Sequence, residues 1–451
     1  MEASGHSMSH AAARKSKPCA ERPIIVGFGP AGMFAALALL DQGRKPLIFE
    51  RGRKIEDRDY DVQRFIRERT LDPESNIQFG EGGAGSYSDG KLFSRINNSA
   101  YGNKVLETFI RFGAPADIAS IRKPHLGTDV LCQIVRNIRN HVLEQSGEIQ
   151  YSSRLTDLQV SEGQVSSVVI NGEQEYGVST LFLAVGHSAR DTFGMLYGRG
   201  VAFEQKPISV GLRIEHPVEI INQIRSCGAH PDVSGAGALT YSFNHTNRKT
   251  GRGVSTFCMC PGGEVVNASS ENGLLVLNGM SYAARASAFS NGALVVSCHT
   301  DDYGSAHPLA GIEFQRAIER RAFEVAGQGW QAPAQNLMDF LCGRVSSRLN
   351  GNSFAMGTVP ADLNALFPGF VGEELVTAAN SWKEEYPLFV SEHAILLAPE
   401  TRTSSPVRML RNEKGHSLTV GNLYPIGEGS GYTGGITSSA IDALKAVDRS
   451  R

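Results

Sequence analysis

The chain has 451 residues, 41% hydrophobic and 20% charged, with a formal net charge of -2 at pH 7. That length suits two interleaved domains, and the near-neutral charge removes any general electrostatic case for nucleic acid or an anionic membrane as partner. No uncharged apolar run reaches the ~18 residues of a membrane-spanning helix.

The first 22 residues are small and polar. They lack the apolar core of a secretory signal and are expected to form a disordered tail. Residues 24–26 (IIV) then make a short β-branched strand ending at Gly27. Gly27, Gly29 and Gly32 give G-x-G-x-x-G, residues 33–40 continue as an Ala- and Leu-rich helix, and Gly43 stands where a helix C-cap belongs. Residues 46–49 form a second strand ending at Glu50. Each part has a task in binding a dinucleotide. Gly27 allows the tight turn, Gly29 lets a pyrophosphate approach, and Gly32 brings helix against strand. The helix start favours the phosphates, and Glu50 suits the ribose hydroxyls. At this point FAD and NAD both remain open.

Residues 76–95 (NIQFGEGGAGSYSDGKLFSR) carry glycines 80, 82, 83, 85 and 90, too many for a helix or strand. They are expected to lie along the cofactor, with Lys91 and Arg95 near phosphate or flavin, or else as solvated charges. Val130, Ile134, Ile138 and Val142 set a helical stripe over 127–144. Short β-like runs follow at 149–158 and 165–170, joined by an Asn171-Gly172 turn. Residues 180–185 (TLFLAV) read as a buried strand ending at Gly186. Later strands are expected at 208–214, 253–259, 274–277 and 293–296, and helices at 309–327, 334–342 and 372–385. We read 23–195 as the first part of a nucleotide domain, 196–390 as an inserted substrate domain, and 391–451 as the completion of the first.

Residues 421–446, GNLYPIGEGSGYTGGITSSAIDALKA, place a strand (423–426) before Gly427-Glu428 and open a helix at Gly434-Gly435. This resembles the second FAD fingerprint of glutathione-reductase-type flavoproteins, with glutamate in place of the usual aspartate. It favours FAD, because an NAD-only domain has no use for it. The helix dipole there would support the charge of the reduced ring.

The blocks FGEGGAGSYSDGKL, AVGHSARDTF, GLRIEHP, FCMCPGGEVV, ETRTSSPVR and GEGSGYTGGI look like the signature segments of the uncharacterised FAD-dependent dehydrogenase family. The resemblance runs from about residue 22 to the end. It implies an α/β fold: a Rossmann-type FAD-binding domain with a β-meander, plus an inserted mixed β-sheet and helical substrate domain. The expected cofactor contacts are Gly27, Gly29, Pro30, Ala31, Gly32, Glu50 and Arg51, then Gly83, Ala84, Gly85, Ser86 and Lys91. Leu155, Val185 and Gly186 follow, and then Gly427, Glu428, Gly434, Gly435 and Ile436. The resemblance supplies no substrate.

Seven scattered cysteines fit free thiols in a reducing, cytoplasmic setting. Cys258-x-Cys260 invites a metal or dithiol reading, but no nearby His or Cys cluster completes a zinc site. The preferred expectation is a packed strand lining the active site, its two side chains on one face. His187, after Gly186, is placed toward the adenosine. His216 and His245 are the better acid/base candidates. Arg402 is read either as a substrate- or flavin-binding cation or as a buried ion pair. The function expected is an FAD-dependent oxidoreductase moving a hydride between flavin N5 and a small organic substrate. The alternatives are an oxidase or monooxygenase, a non-catalytic FAD scaffold, or an RNA-modifying flavoprotein. The expected partner is the substrate, with NAD(P)H or another electron partner left open and no metal. No second G-x-G-x-x-G follows a strand between residues 100 and 420.

Overall fold

The computed structural model describes residues 22–92, 99–121, 124–226 and 238–451. Residues 1–21 of the expected tail, Arg95, Cys19 and Cys227 lie outside the described residues. The N-terminal strands are β1 (Ile24–Val26), β2 (Leu47–Phe49), β3 (Glu148–Gln150), β4 (Leu155–Ser161), β5 (Gln164–Ile170), β6 (Gln174–Gly177) and β7 (Leu181–Leu183). The helices among them are α1 (Pro30–Asp41), α2 (Ile55–Glu68), α3 (Ala100–Arg111) and α4 (Gly127–Glu144), with α5 (Arg190–Gly198) following. A five-stranded parallel sheet runs in the order Leu423–Pro425, β7, β1, β2, β3.

Side chains alternate across a strand, and here the alternation gives each face of the sheet its own partner. Ile25, Ile48 and Phe182 point toward α1, α3, α4 and the C-terminal helix Ile436–Arg449. Ile24, Val26, Leu47, Phe49, Leu181 and Leu183 point the other way, onto the β4–β5–β6 meander and α5. A parallel sheet covered on both faces reads in sequence as short continuous apolar runs. The meander turns at Asn171 and Gly172, both at positive φ (54° and 75°), as a tight hairpin requires.

A second sheet of seven strands starts at Ile208. Its order is Asn244–Thr246, Gly253–Cys260, Phe289–Cys298, Ile208–Pro217, Ile395–Glu400, Ala332–Asn336, Thr358–Pro360. All its pairs are antiparallel except the last. Ile208, Val210, Leu212 and Ile214 belong to an apolar core shared with the helices Ala310–Val325 and Gly369–Lys383. Alternate residues on the same strand include Arg213 and Glu215, both fully buried. Buried charge needs partners. Arg213 Nη1 donates to Glu400 at 2.9 Å, and Glu215 accepts from the Ser353 backbone N–H at 2.8 Å.

Three expectations are corrected here. The chain does not leave the second sheet at 390, because Ile395–Glu400 is one of its inner strands, six buried residues between Ile208–Pro217 and Ala332–Asn336. The return comes at a neck where Lys206 N–H donates to Pro406 O at 2.9 Å and Phe203–Gln205 pairs with Val407–Met409. Residues 274–276 are buried but not a strand, since the Leu275 and Val276 amides bond Glu319 O and Ser269 Oγ instead of a ladder. The strand there is Leu277–Met280. The start of the helix expected at 334–342 is the strand Ala332–Asn336, and the helix itself is Leu337–Leu341.

Candidate active site

The turn after β1 is fixed by two glycines. Gly27 has φ +97°, and a Cβ there would lie 2.3 Å from Ala184 O. A Cβ on Gly32 would lie 1.9 Å from Gly27 O, so α1 can pack this close only without a side chain. Gly29 differs: a Cβ there would only touch Gly83 Cα at 3.5 Å, leaving that side of the turn open to the cavity. Helix α1 starts at Pro30 with no side-chain cap, so its N-terminal dipole faces the cavity unscreened.

Glu50, at the end of β2, ties two loops to this turn. Its Oε2 accepts from Phe28 N–H (2.8 Å), and its Oε1 accepts from Gly52 N–H (2.9 Å) and Gly80 N–H (3.0 Å). A carboxylate offers about four lone-pair sites, so one remains for a ligand hydroxyl. The glycine-rich loop that Gly80 begins is pinned from beneath by Arg58, which is fully buried. Its guanidinium donates to the carbonyls of Asn76 (2.8 Å), Ile77 (2.9 Å), Glu81 (2.7 Å) and Gly83 (3.0 Å). Glu81 in turn accepts from Ile55 N–H and from the Arg139 and Tyr151 side chains at 2.7 to 2.8 Å. Burial pushes the Glu81 carboxyl up against those three donors. The loop is therefore a fixed wall.

The C-terminal segment closes onto the same place. A Cβ on Gly427 would come within 2.6 Å of Ala31 Cβ, and one on Gly429 within 2.4 Å of Gly186 O, so both fingerprints meet in space. Gly434 and Gly435 have nothing within 4 Å of a built Cβ and line the cavity, and the helix Ile436–Arg449 starts behind them without a side-chain cap. His187 Nδ1 stands 3.4 Å from Glu428 Oε1, and its buried Nε2 has no hydrogen-bond partner among the described residues.

These elements enclose a cavity of about 950 Å³, at the upper end of the ~300–1,000 Å³ common for cofactor and small-molecule sites. From the first fingerprint it is lined by Gly27, Gly29, Pro30, Ala31, Glu50 and Arg51. The glycine-rich loop contributes Gly83, Ala84, Gly85 and Lys91, and the meander side Leu155, Val185 and Gly186. The last segment adds Gly427, Glu428, Gly434, Gly435 and Ile436. Two expected contacts sit behind the wall. Gly32 supports the turn, and the Ser86 hydroxyl is buried where a Cβ on Gly82 would meet it at 2.1 Å.

The expected acid/base histidines are not brought to this cavity. His216 is fully buried in the second core, donating from Nε2 to Phe389 O at 2.9 Å and stacked on the Phe389 ring. Burial holds its imidazole down to about 4, so it is neutral near pH 7. His245 lies on the strand Asn244–Thr246, at an edge of the second sheet, with Nδ1 at 3.0 Å from Ser381 Oγ. Arg402 does line the cavity, but its guanidinium is engaged by Glu319 (2.9 and 3.1 Å), Ser270 (2.7 Å) and Ser188 (3.2 Å). Of its expected roles, the buried ion pair is the one the geometry selects.

The second sheet and the neck add Lys206, Phe257, Cys258, Thr403, Ser404 and Arg408 to the lining, and the short strand Leu277–Met280 adds Asn278. Of these, only Cys258 was singled out from sequence as a single residue; Phe257, Thr403, Ser404 and Arg408 fall within the blocks FCMCPGGEVV and ETRTSSPVR, whereas Lys206 and Asn278 carry no local motif. Burial lowers the Lys206 ammonium below its ordinary value, with Glu428 opposing and Arg408 adding to the effect.

Residues 207–403 match the family described as "FAD-dependent protein, C-terminal domain-like". A relative from Clostridium beijerinckii, described as an uncharacterized protein, is 43% identical over 431 residues, covering 95% of this chain and 80% of that one. The chain belongs to this family of FAD-dependent proteins. FAD is accordingly its cofactor, and the chain is a flavoprotein. It is also similar to solved flavoproteins at low identity. The open conformation of a flavocytochrome c3 fumarate reductase shares 13% identity, with a TM-score of 0.40 and coverage of 96% of this chain and 78% of that chain. CtdE in complex with FAD shares 11%, with a TM-score of 0.37 and coverage of 94% and 82%. A geranylgeranyl bacteriochlorophyll reductase-like protein from Thermoplasma acidophilum shares 11%, with a TM-score of 0.40 and coverage of 95% and 77%.

The cavity fits the cofactor chemically. It offers two uncapped helix starts, glycine faces that a Cβ would fill, one free acceptor site on Glu50, and the orphaned His187 Nε2. No group of three or more potential metal ligands occurs among the described residues. None of their helices is long and apolar enough to cross a membrane.

Proposed function

We propose that this flavoprotein is an oxidoreductase that moves a hydride between its cofactor and a small organic substrate bound at the neck between the two sheets. The observation carrying this reading is that one cavity joins both fingerprints to a wall from the second sheet and the neck. FAD, when bound, would supply two-electron chemistry at its reactive ring atom. The residues of the chain position and exclude. Glu50 would take the ribose, the α1 start the pyrophosphate, and the Gly434–Gly435 helix start the pyrimidine edge of the ring. Arg58 and Glu81 keep the loop wall in register, and Phe257 with Asn278 shapes the substrate end. Lys206 and Arg408 line the neck side, where Arg408 is paired with Glu204 at 2.7 Å. The 196–390 expectation for the substrate domain, extended to the neck at residue 406, describes the unit that would select that substrate.

The electron donor is expected to be organic and not a nicotinamide. A second dinucleotide fingerprint is missing from residues 100–420. The second sheet is antiparallel apart from one pair, unlike the parallel sheets that bind dinucleotides. Mixed anaerobically with NADH or NADPH in a stopped-flow instrument, the flavin absorbance is expected to bleach slowly and without saturation. Rapid, saturable bleaching by either nucleotide would make the chain a nicotinamide-dependent reductase instead.

A further inference from the structure

The strand Gly253–Cys260 is regular until it reaches the cavity. Phe257 pairs with Ala293, yet the next pair is Cys260 with Asn291, so this strand holds one residue more than its partner. The extra residue makes a β-bulge with Cys258 at φ +43°, a conformation uncommon outside glycine. Bulges re-aim side chains, and strained backbone concentrates at functional sites. The expectation that both cysteines simply share one face is modified accordingly. Cys258 lines the cavity, whereas Cys260 is fully buried behind it.

The Cys260 thiol donates to the Cys258 carbonyl at 3.4 Å. Two cations flank the pair. Lys91 Nζ donates to Met259 O, between the cysteines, and pairs with Asp89 at 2.8 Å. Arg213 Nη2 donates to Cys258 O at 3.2 Å and lies 3.8 Å from Cys260 Sγ. The anions nearby are already paired: Asp89 with Lys91 and Arg285, Glu400 with Arg213. Tyr241, facing Cys260, is kept a neutral phenol by burial. The neighbouring Cys260 side chain, opposed by burial and aided by Lys91 and Arg213, holds the Cys258 thiol well below its ordinary value. Cys260 is pushed up in turn, by the Cys258 side chain and by burial. Burial and the Cys258 charge also push the Glu400 carboxyl up to about 7.

We propose that Cys258 and Cys260 are a redox-active thiol pair that exchanges two electrons with the FAD bound in this cavity. The proposal rests on the cavity being the flavin site. In the oxidising direction the Cys258 thiolate and the Cys260 S–H form one S–S bond. The S–H bond breaks, two electrons pass to oxidised FAD, and the proton of Cys260 ends on the reduced ring, giving its singly protonated anion. In a regular strand, residues two apart are about 6.6 Å apart at Cα, at the upper limit of the 4.4–6.8 Å that disulfides span. The buffered, low-lying Cys258 is the attacking thiolate, and shielded Cys260 is its resolving partner.

Two measurements test this and keep the flavin question separate. The first is iodoacetamide alkylation of the flavin-free protein across pH, located by peptide mass spectrometry. Cys258 is expected to react at a rate already on its plateau by pH 7, and Cys260→Ser is expected to move the midpoint up by at least one pH unit. The second is anaerobic dithionite titration of the air-oxidised holoprotein. Four electrons per flavin are expected for wild type and two for Cys258→Ser and Cys260→Ser, with thermal melting showing that both variants are folded. Two-electron uptake by wild type, or a Cys258 midpoint near the ordinary ~8.5 of a free thiol, would overturn the pair. A protein that purifies without flavin yet shows the low Cys258 midpoint would overturn the flavin placement instead.

Discussion

Gly29→Val is expected to strip the flavin from the protein while leaving the fold in place. A Cβ at position 29 meets only Gly83 Cα at 3.5 Å, which is ordinary contact, so the apoprotein tolerates the substitution. The added branch projects to where the pyrophosphate must approach the backbone. A loss on the order of 100-fold in FAD affinity, about 2.7 kcal/mol, is expected by the usual conversion. It is measured by flavin content after gel filtration and by titrating FAD into the apoprotein. Gly32→Ala is the contrast, because its Cβ would fall 1.9 Å from Gly27 O and the backbone itself must move. That variant should lose stability and flavin together. If Gly29→Val keeps a full complement of flavin, the pyrophosphate does not lie over this turn.

The second large effect is on stability. Glu319, on the helix Ala310–Val325, is fully buried between two cations from different parts of the chain. Arg190 of α5 donates to it at 2.7 and 2.8 Å, and Arg402 at 2.9 and 3.1 Å. The group thus locks the second unit to the first beside the cavity. Despite burial, which acts upward, Arg190 and Arg402 hold the Glu319 carboxyl far below the usual carboxylate range. The two arginines respond differently. Glu319 and Glu271 raise Arg190 against its burial, whereas burial and the charge of Arg190 lower Arg402. Both guanidinium groups stay protonated at neutral pH. Removing one partner of a buried pair leaves uncompensated charge, so Glu319→Ala is expected to cost about 3–5 kcal/mol. Urea unfolding followed by circular dichroism checks this. An unchanged midpoint would show that water replaces the carboxylate. Because the folded carboxyl is depressed, its contribution is complete above the unfolded value of ~4.3. It is lost only as the pH falls further through the folded value.

The cavity lining was legible in the sequence to the extent that it depends on local backbone geometry. Gly27, Gly29, Gly434 and Gly435 mark positions where a Cβ would strain the turn or fill the cavity, and glycine is itself the signal. Burial is different. His216 and His245 looked alike as acid/base candidates, but one packs against Phe389 in a core and the other bonds Ser381 at a sheet edge. Helix α2 went unread, although its buried Ile55, Val62 and Phe65 have helical spacing, because charged residues dominate the segment. With it went Arg58, whose purpose appears only when the carbonyls of residues 76–83 fold around it.

By itself, the sequence determined the parallel β-α-β cradle, the late strand-turn-helix and the glycine-rich wall, since each follows from patterns within about 30 residues. Only the tertiary structure decided which side chains meet at the far end of the cavity. Lys91 reaches the carbonyl between the two cysteines from 168 positions away, and Arg190 meets Glu319 across 129. Such encounters depend on how buried faces pack, and on a one-residue bulge that turns Cys258 into the cavity. No local pattern of residues encodes either.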